Sequence, residues 1–183
     1  MKNRRTFLKT SALTVATTPF LSMQKSSILN WNDGEAVVKQ PEQDEIVFVR
    51  ENTPITFHIS KSKDETISVS LLSEELIPGS HIPTHKHLNN DEYFFILAGT
   101  GTIMIEDKKY DFKPGTTAFI PKNTWHSLEN NGTEKVIFHF GFSPAGFEDF
   151  FREVGTAKGE IFKPKSKEET VTIGKKYGMV FKK

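Results

Sequence analysis

The sequence predicts an all-β domain, a small antiparallel sandwich or barrel, and three observations carry that prediction. Short runs rich in β-branched and aromatic residues recur from Ile46 to Phe140, each bounded by Gly, Pro, Asn or Asp. Aromatics are skewed to 16 Phe against 3 Tyr and 2 Trp, which suits an aromatic-packed interior. The first convincing helical pattern comes late, after these β-type runs. The chain has 183 residues, enough for one core of ordinary size.

The first residues read as an address. Lys2, Arg4, Arg5 and Lys9 precede a short Thr-rich apolar run, and no acidic residue occurs before Asp33. The run is too short for a transmembrane helix. Arg4-Arg5 with Phe7-Leu8-Lys9 resembles the bacterial twin-arginine signal, with Asn3 where Ser or Thr is usual. That resemblance implies the twin-arginine export machinery as a partner and a periplasmic or secreted location. Residues 1–22 are assigned to the signal and 23–45 to a polar linker. Removing the signal leaves 20 basic against 23 acidic residues, a net charge of −3. No basic surface for nucleic acid is expected. With no cysteine there is no lipid attachment, disulfide framework, thiol catalysis or iron–sulfur cluster, and no stable membrane anchor is expected. Any metal must be held by His and carboxylate.

The barrel is assigned to 46–145. Its strands are read at 46–49, 55–59, 66–72, 92–97, 101–105, 108–112, 116–120, 126–128 and 135–140. Glu106-Asp107-Lys108 and Asn130-Asn131-Gly132-Thr133 have the turn chemistry of hairpins. In residues 146–183, Phe147, Phe150, Phe151 and Val154 lie at i, i+3, i+4 and i+7 before Gly155, predicting a short helix with its Phe stripe on the barrel. Lys163–Glu169 mixes charge signs and reads as a solvated stretch, and Ile173–Phe181 as a last short element.

Four residues stand out by type and spacing: His85, His87, Glu92 and His126. On a strand, residues two apart share a face, so both imidazoles of His85-Lys86-His87 can reach one point. The turn through Asn89-Asn90 can fold Glu92 back, and His126 arrives from another strand. Three imidazoles and a carboxylate suit one divalent first-row ion, iron, manganese, nickel, copper or zinc, and disfavour calcium or magnesium.

These residues fall in two motifs that resemble the cupin family. The first runs Gly79, His85, His87, Glu92, Gly99; the second runs Gly115, Pro121, His126, Asn130, with Asn123 in place of the middle Gly. Asn tolerates the left-handed backbone that a turn Gly adopts. The likeness spans residues 66–143 and implies a double-stranded β-helix, the cupin jelly-roll barrel, with a metal in its mouth. Ser143–Phe147, Phe150-Phe151 and Tyr177–Phe181 further resemble the tail of small quercetin-dioxygenase-like cupins.

Function must come from the site, because this fold hosts many chemistries. The leading expectation is an oxygen-dependent dioxygenase acting on a small aromatic or enolic compound, with Glu92 doubling as catalytic base and Phe94, Phe119, Phe138 and Phe140 forming an apolar pocket. The alternatives are a non-redox isomerase, epimerase or lyase, and a non-catalytic holder of a metal or small molecule. A sugar-acid enzyme would want Arg near the pocket. Arg50 and Arg152, the only arginines outside the signal, lie away from the motifs, which lowers that alternative. His81 is read as a solvated loop residue, and His58 and His139 as hydrogen-bonded core or rim groups. Tyr93 and Trp125 should face away from the ligands. A homodimer paired through strand edges is the default expectation for a small cupin.

Overall fold

The structure, a computed structural model, describes residues 38–61 and 67–182. The expected export signal and residues 23–37 of the expected linker lie outside them. Within 38–45 the chain makes one 3-10 turn at Pro41–Gln43 and opens its first strand at Glu45. Among the described residues no helix is long and apolar enough to cross a membrane.

Twelve strands follow in order: β1 Glu45–Arg50, β2 Thr53–Ile59, β3 Leu71–Leu76, β4 His81–His87, β5 Asp91–Ala98 and β6 Gly101–Ile105, then β7 Lys108–Phe112, β8 Thr117–Ile120, β9 His126–Glu129, β10 Val136–Ser143, β11 Thr156–Ala157 and β12 Met179–Phe181. They form a seven-stranded sheet, β11-β1-β2-β3-β10-β5-β8, and a five-stranded sheet, β12-β4-β9-β6-β7. All pairings are antiparallel. The predicted all-β double-stranded β-helix is therefore the observed fold.

Period-two alternation decides what each sheet buries. In β10, Val136, Phe138, Phe140 and Phe142 are buried, and in β5 Glu92, Phe94 and Ile96. With Ile55, Phe57, Leu72 and Leu76 they fill the space between the sheets. The same alternation corrects the expected pocket. Ile120 is the buried residue of β8, so Phe119, opposite Tyr93, is turned outward and 62% exposed.

Turn chemistry explains the motif glycines. Gly79, Gly99 and Gly115 have φ of 80°, 79° and 89°, and Asn123 takes the same left-handed region at 66°. Glu106-Asp107-Lys108 closes a true hairpin between β6 and β7. Asn130–Thr133 does not. It carries the chain from β9 in the smaller sheet to β10 in the larger, so the expected hairpin is a crossover. The buried Asn130 side chain holds it, donating to the Leu76 and Glu134 carbonyls at 2.8 and 2.9 Å and accepting from the Gly132 amide at 3.1 Å.

The late Phe stripe forms α1, Asp149–Val154, with Phe147, Phe150 and Val154 buried. A second helix, α2 Lys167–Lys176, begins inside the stretch expected to be solvated. Ser166 and Glu169 form a capping box there, each side chain bonded to the other's backbone N–H at 3.1 and 2.8 Å. Helix α2 delivers β12 to β4, where Met179 pairs with His87 and Phe181 with His85.

Candidate metal centre

The four residues picked out by spacing meet between the sheets. His85 and His87 come from β4 and His126 from the neighbouring β9, where His85 and His126 are register partners. Glu92 comes from β5 in the facing sheet. All four are buried, and one nitrogen or oxygen from each lies within 4.8 Å of all the others. Ring centroids of the three imidazoles are 4.3 to 5.6 Å apart.

A carbonyl oxygen only accepts hydrogen bonds, so it identifies the protonated nitrogen of its histidine partner. His85 Nδ1 donates to the Pro83 carbonyl at 2.8 Å and His126 Nδ1 to that of Thr124 at 3.0 Å. Both rings therefore turn Nε2 toward the cluster, the orientation that backbone partners give metal-bound imidazoles. Glu92 Oε2 lies 2.7 Å from His126 Nε2 and 3.1 Å from His87 Nε2. The His87 contact is close without hydrogen-bond alignment, and neither of its buried ring nitrogens has a hydrogen-bond partner. An imidazole that is buried, unpartnered and 3.1 Å from a carboxylate is what a metal ligand looks like without its ion. The donor set fits a borderline divalent ion.

The electrostatics agree. Burial pushes the His85 imidazole down to about 3, and the neighbouring His126 and His87 rings push the same way, so it stays neutral at pH 7. Burial alone would raise the Glu92 carboxyl. The His87 and His126 imidazoles outweigh that and hold it below the usual carboxylate range. His126 moves the other way: burial lowers it, and the Glu92 charge and hydrogen bond more than compensate.

The cluster opens on a cavity of about 400 Å³ lined largely by Phe94, Phe138, Phe140, Phe142, Phe147 and Phe151. Phe147 and Phe142 also pack edge-on against His87, with centroids 4.2 and 5.2 Å away. His81 is exposed at the start of β4 and touches the cavity rim. His58 bonds Asp44 at 2.6 Å and Ser73 at 3.0 Å, and His139 stacks on it at 5.3 Å. Neither histidine lines the cavity. Tyr93 donates its hydroxyl to the Ser70 carbonyl, and Trp125 carries Lys86 Nζ 4.9 Å over its ring. Both aromatics leave the cluster to the histidines, as alternation predicts.

One expectation fails. Arg50 lines the cavity together with Glu74, although it lies far from the motifs in sequence. A bulge between Phe48 and Arg50 shifts the β1–β2 register and turns the guanidinium inward. Its Nη1 donates to Glu74 Oε1. Glu74 itself could have been found from sequence, because Leu72, Glu74 and Leu76 share one strand face and a charge stands there among leucines.

Comparison with known proteins fits this geometry. Residues 72–142 match the family described as the cupin domain. Over 80 residues the chain is 35% identical to a protein of Methanocaldococcus jannaschii whose role is uncharacterized, covering 43% of this chain and 64% of that one. Over 64 residues it is 34% identical to a protein of Thermotoga maritima named as oxalate-binding, covering 35% and 53%. The matches thus span about half to two thirds of these relatives. A solved RmlC-like cupin from Shewanella frigidimarina superposes with a TM-score of 0.51 at 18% identity, over 63% of this chain and 96% of that chain. The chain has the cupin fold, and the segment that matches the cupin domain, residues 72–142, carries a buried three-His, one-Glu group that could bind a metal ion.

Proposed function

We propose that this protein is an exported metal-dependent dioxygenase of small aromatic or enolic compounds. The observation that carries the reading is the clustering of His85, His87, Glu92 and His126, the first three of which line a phenylalanine-walled cavity. A redox-active iron, manganese, nickel or copper ion held by these four groups would supply open coordination positions and electron exchange with oxygen.

The chain's own residues have three tasks. Phe94, Phe138 and Phe140 hold a flat apolar body and exclude water from around it. Pro83 and Thr124 fix the ring orientations of His85 and His126 through their carbonyls. Glu92 Oε2 takes the proton of a bound enol or phenol, because a carboxylate beside a metal can serve as a base. The twin-arginine-like N-terminus supports export as a folded protein.

A second reading, a non-redox lyase or isomerase, gains from the Arg50–Glu74 pair in the cavity wall, since such enzymes handle charged substrates. Alignment to a protein named as oxalate-binding points the same way. Elemental analysis of the protein recovered from its own compartment, followed by oxygen-electrode assays on flavonols, catechols and diketones, separates the readings. About one redox-active ion per chain and oxygen uptake with at least one panel member is the expected result. Zinc alone with no oxygen uptake overturns the dioxygenase, and turnover without oxygen selects the second reading.

A further inference from the structure

The cavity has a second polar pole that the metal centre does not use. Glu74 is 4% exposed, and its partner Arg50 keeps 32% of its side chain accessible. Among the described residues only Nη1 of the guanidinium is engaged by a side chain, leaving Nε and Nη2 without protein acceptors. Arg has five N–H donors and no acceptor, so whatever completes this site must bring acceptor oxygens.

The geometry points to Arg50 as a specificity-determining residue that binds a carboxylate at one end of the substrate, with Glu74 as the positioning residue that holds the guanidinium. The free edge of a guanidinium matches a carboxylate in fork geometry, which a single ammonium cannot do. Ile55, Phe138 and Phe140 line the same cavity, so the body of the molecule is apolar while one end is anionic. Three structural features put the guanidinium there: the bulge that turns Arg50 inward, the inward phase of Glu74 on β3, and the pairing of Glu74 with both Ile55 and Phe138 across its neighbours. Burial pushes the Glu74 carboxyl up, with Arg50 opposing. The inference deepens the proposed function by naming the class of its substrate, an apolar or aromatic carboxylic acid.

The test is made on chelator-treated protein, so that no ion can bind the anion instead. Isothermal titration with 3-phenylpropionate and its neutral amide should show the acid bound about tenfold or more tightly than the amide. Arg50→Gln should abolish that preference. Because this change leaves Glu74 buried without its partner, Arg50→Gln/Glu74→Gln is made alongside as a neutral pair and should behave the same way. Arg50→Lys should recover only part of the preference. Equal affinity for acid and amide, no binding of the acid at millimolar concentration, or an acid preference that survives in a folded Arg50 variant overturns the inference. Elemental analysis of the metal-loaded variants should match the wild type. Wild-type protein that takes up no metal would sink the dioxygenase reading and leave the outcome of the titration standing.

Discussion

His126 is where the two sheets meet chemically, because its Nε2 faces Glu92 from the larger sheet while its backbone belongs to the smaller one. His126→Ala removes one donor and a partner of the buried Glu92, but His87 still lies 3.1 Å from that carboxylate. The fold should therefore survive with a loss of about 1–3 kcal/mol, while metal affinity falls at least about hundredfold. Elemental analysis after gel filtration, with circular dichroism on the same sample, checks both. Wild-type metal content in folded variant would remove His126 from the ligand set. The four clustered residues were legible in sequence: spacing two apart on one strand put His85 and His87 on a shared face, and the motif pattern picked out Glu92 and His126 from other strands. Arg50 was not: its direction depends on an extra residue in a β-ladder, and a period-two reading passes over a bulge.

At the scale of elements, alternation carried most of the prediction, while charge and turn residues said less about which element follows. Strands β5 and β10 read correctly because buried and outward residues alternate along them. Lys163–Glu169 reads as solvated because it is charged, and every residue in it is exposed. What charge alone does not reveal is that Lys167 opens a capped helix whose outer face needs no apolar residues. The Asn130 turn shows the same limit, since turn residues specify a reversal and not which sheet the next strand joins. The start of β1 supports a pH prediction. Asp44 sits beside Lys39 at 3.0 Å and His58 at 2.6 Å. Burial would raise its carboxyl, but hydrogen bonds from Lys39 and His58 outweigh burial and hold it below the usual aspartate range. A carboxylate whose folded pKa is depressed stabilises above its unfolded pKa, and that contribution is lost as pH falls through the folded value. Asp44→Asn should therefore cost about 1–2 kcal/mol in urea unfolding at pH 6 and progressively less below about pH 4. A cost that is the same at pH 6 and pH 3 would show that Asp44 contributes by packing instead.

For the molecule as a whole, the metal centre and the core share the same walls. The faces of β5 and β10 that supply Phe94, Phe138 and Phe140 to the cavity also anchor Glu92, and the C-terminal strand β12 packs Met179 and Phe181 beside the ligand strand β4. Binding an ion should thus stabilise the domain globally, because unfolding separates two sheets that the ion would otherwise bridge. Linkage sets the size: an ion at 100 times its dissociation constant adds about 2.7 kcal/mol. For a domain of this length each kcal/mol moves the melting midpoint by about 2–4 °C, so saturation should raise it by about 5–10 °C. The rise should grow with the logarithm of ion concentration above the dissociation constant, vanish with excess chelator, and be much smaller in His126→Ala. It should persist in Arg50→Gln, whose side chain is not among the four donors. A midpoint indifferent to manganese, iron, nickel, copper and zinc in the wild type would mean that the four groups do not close on one ion. An equal rise in His126→Ala would place the ion elsewhere on the chain.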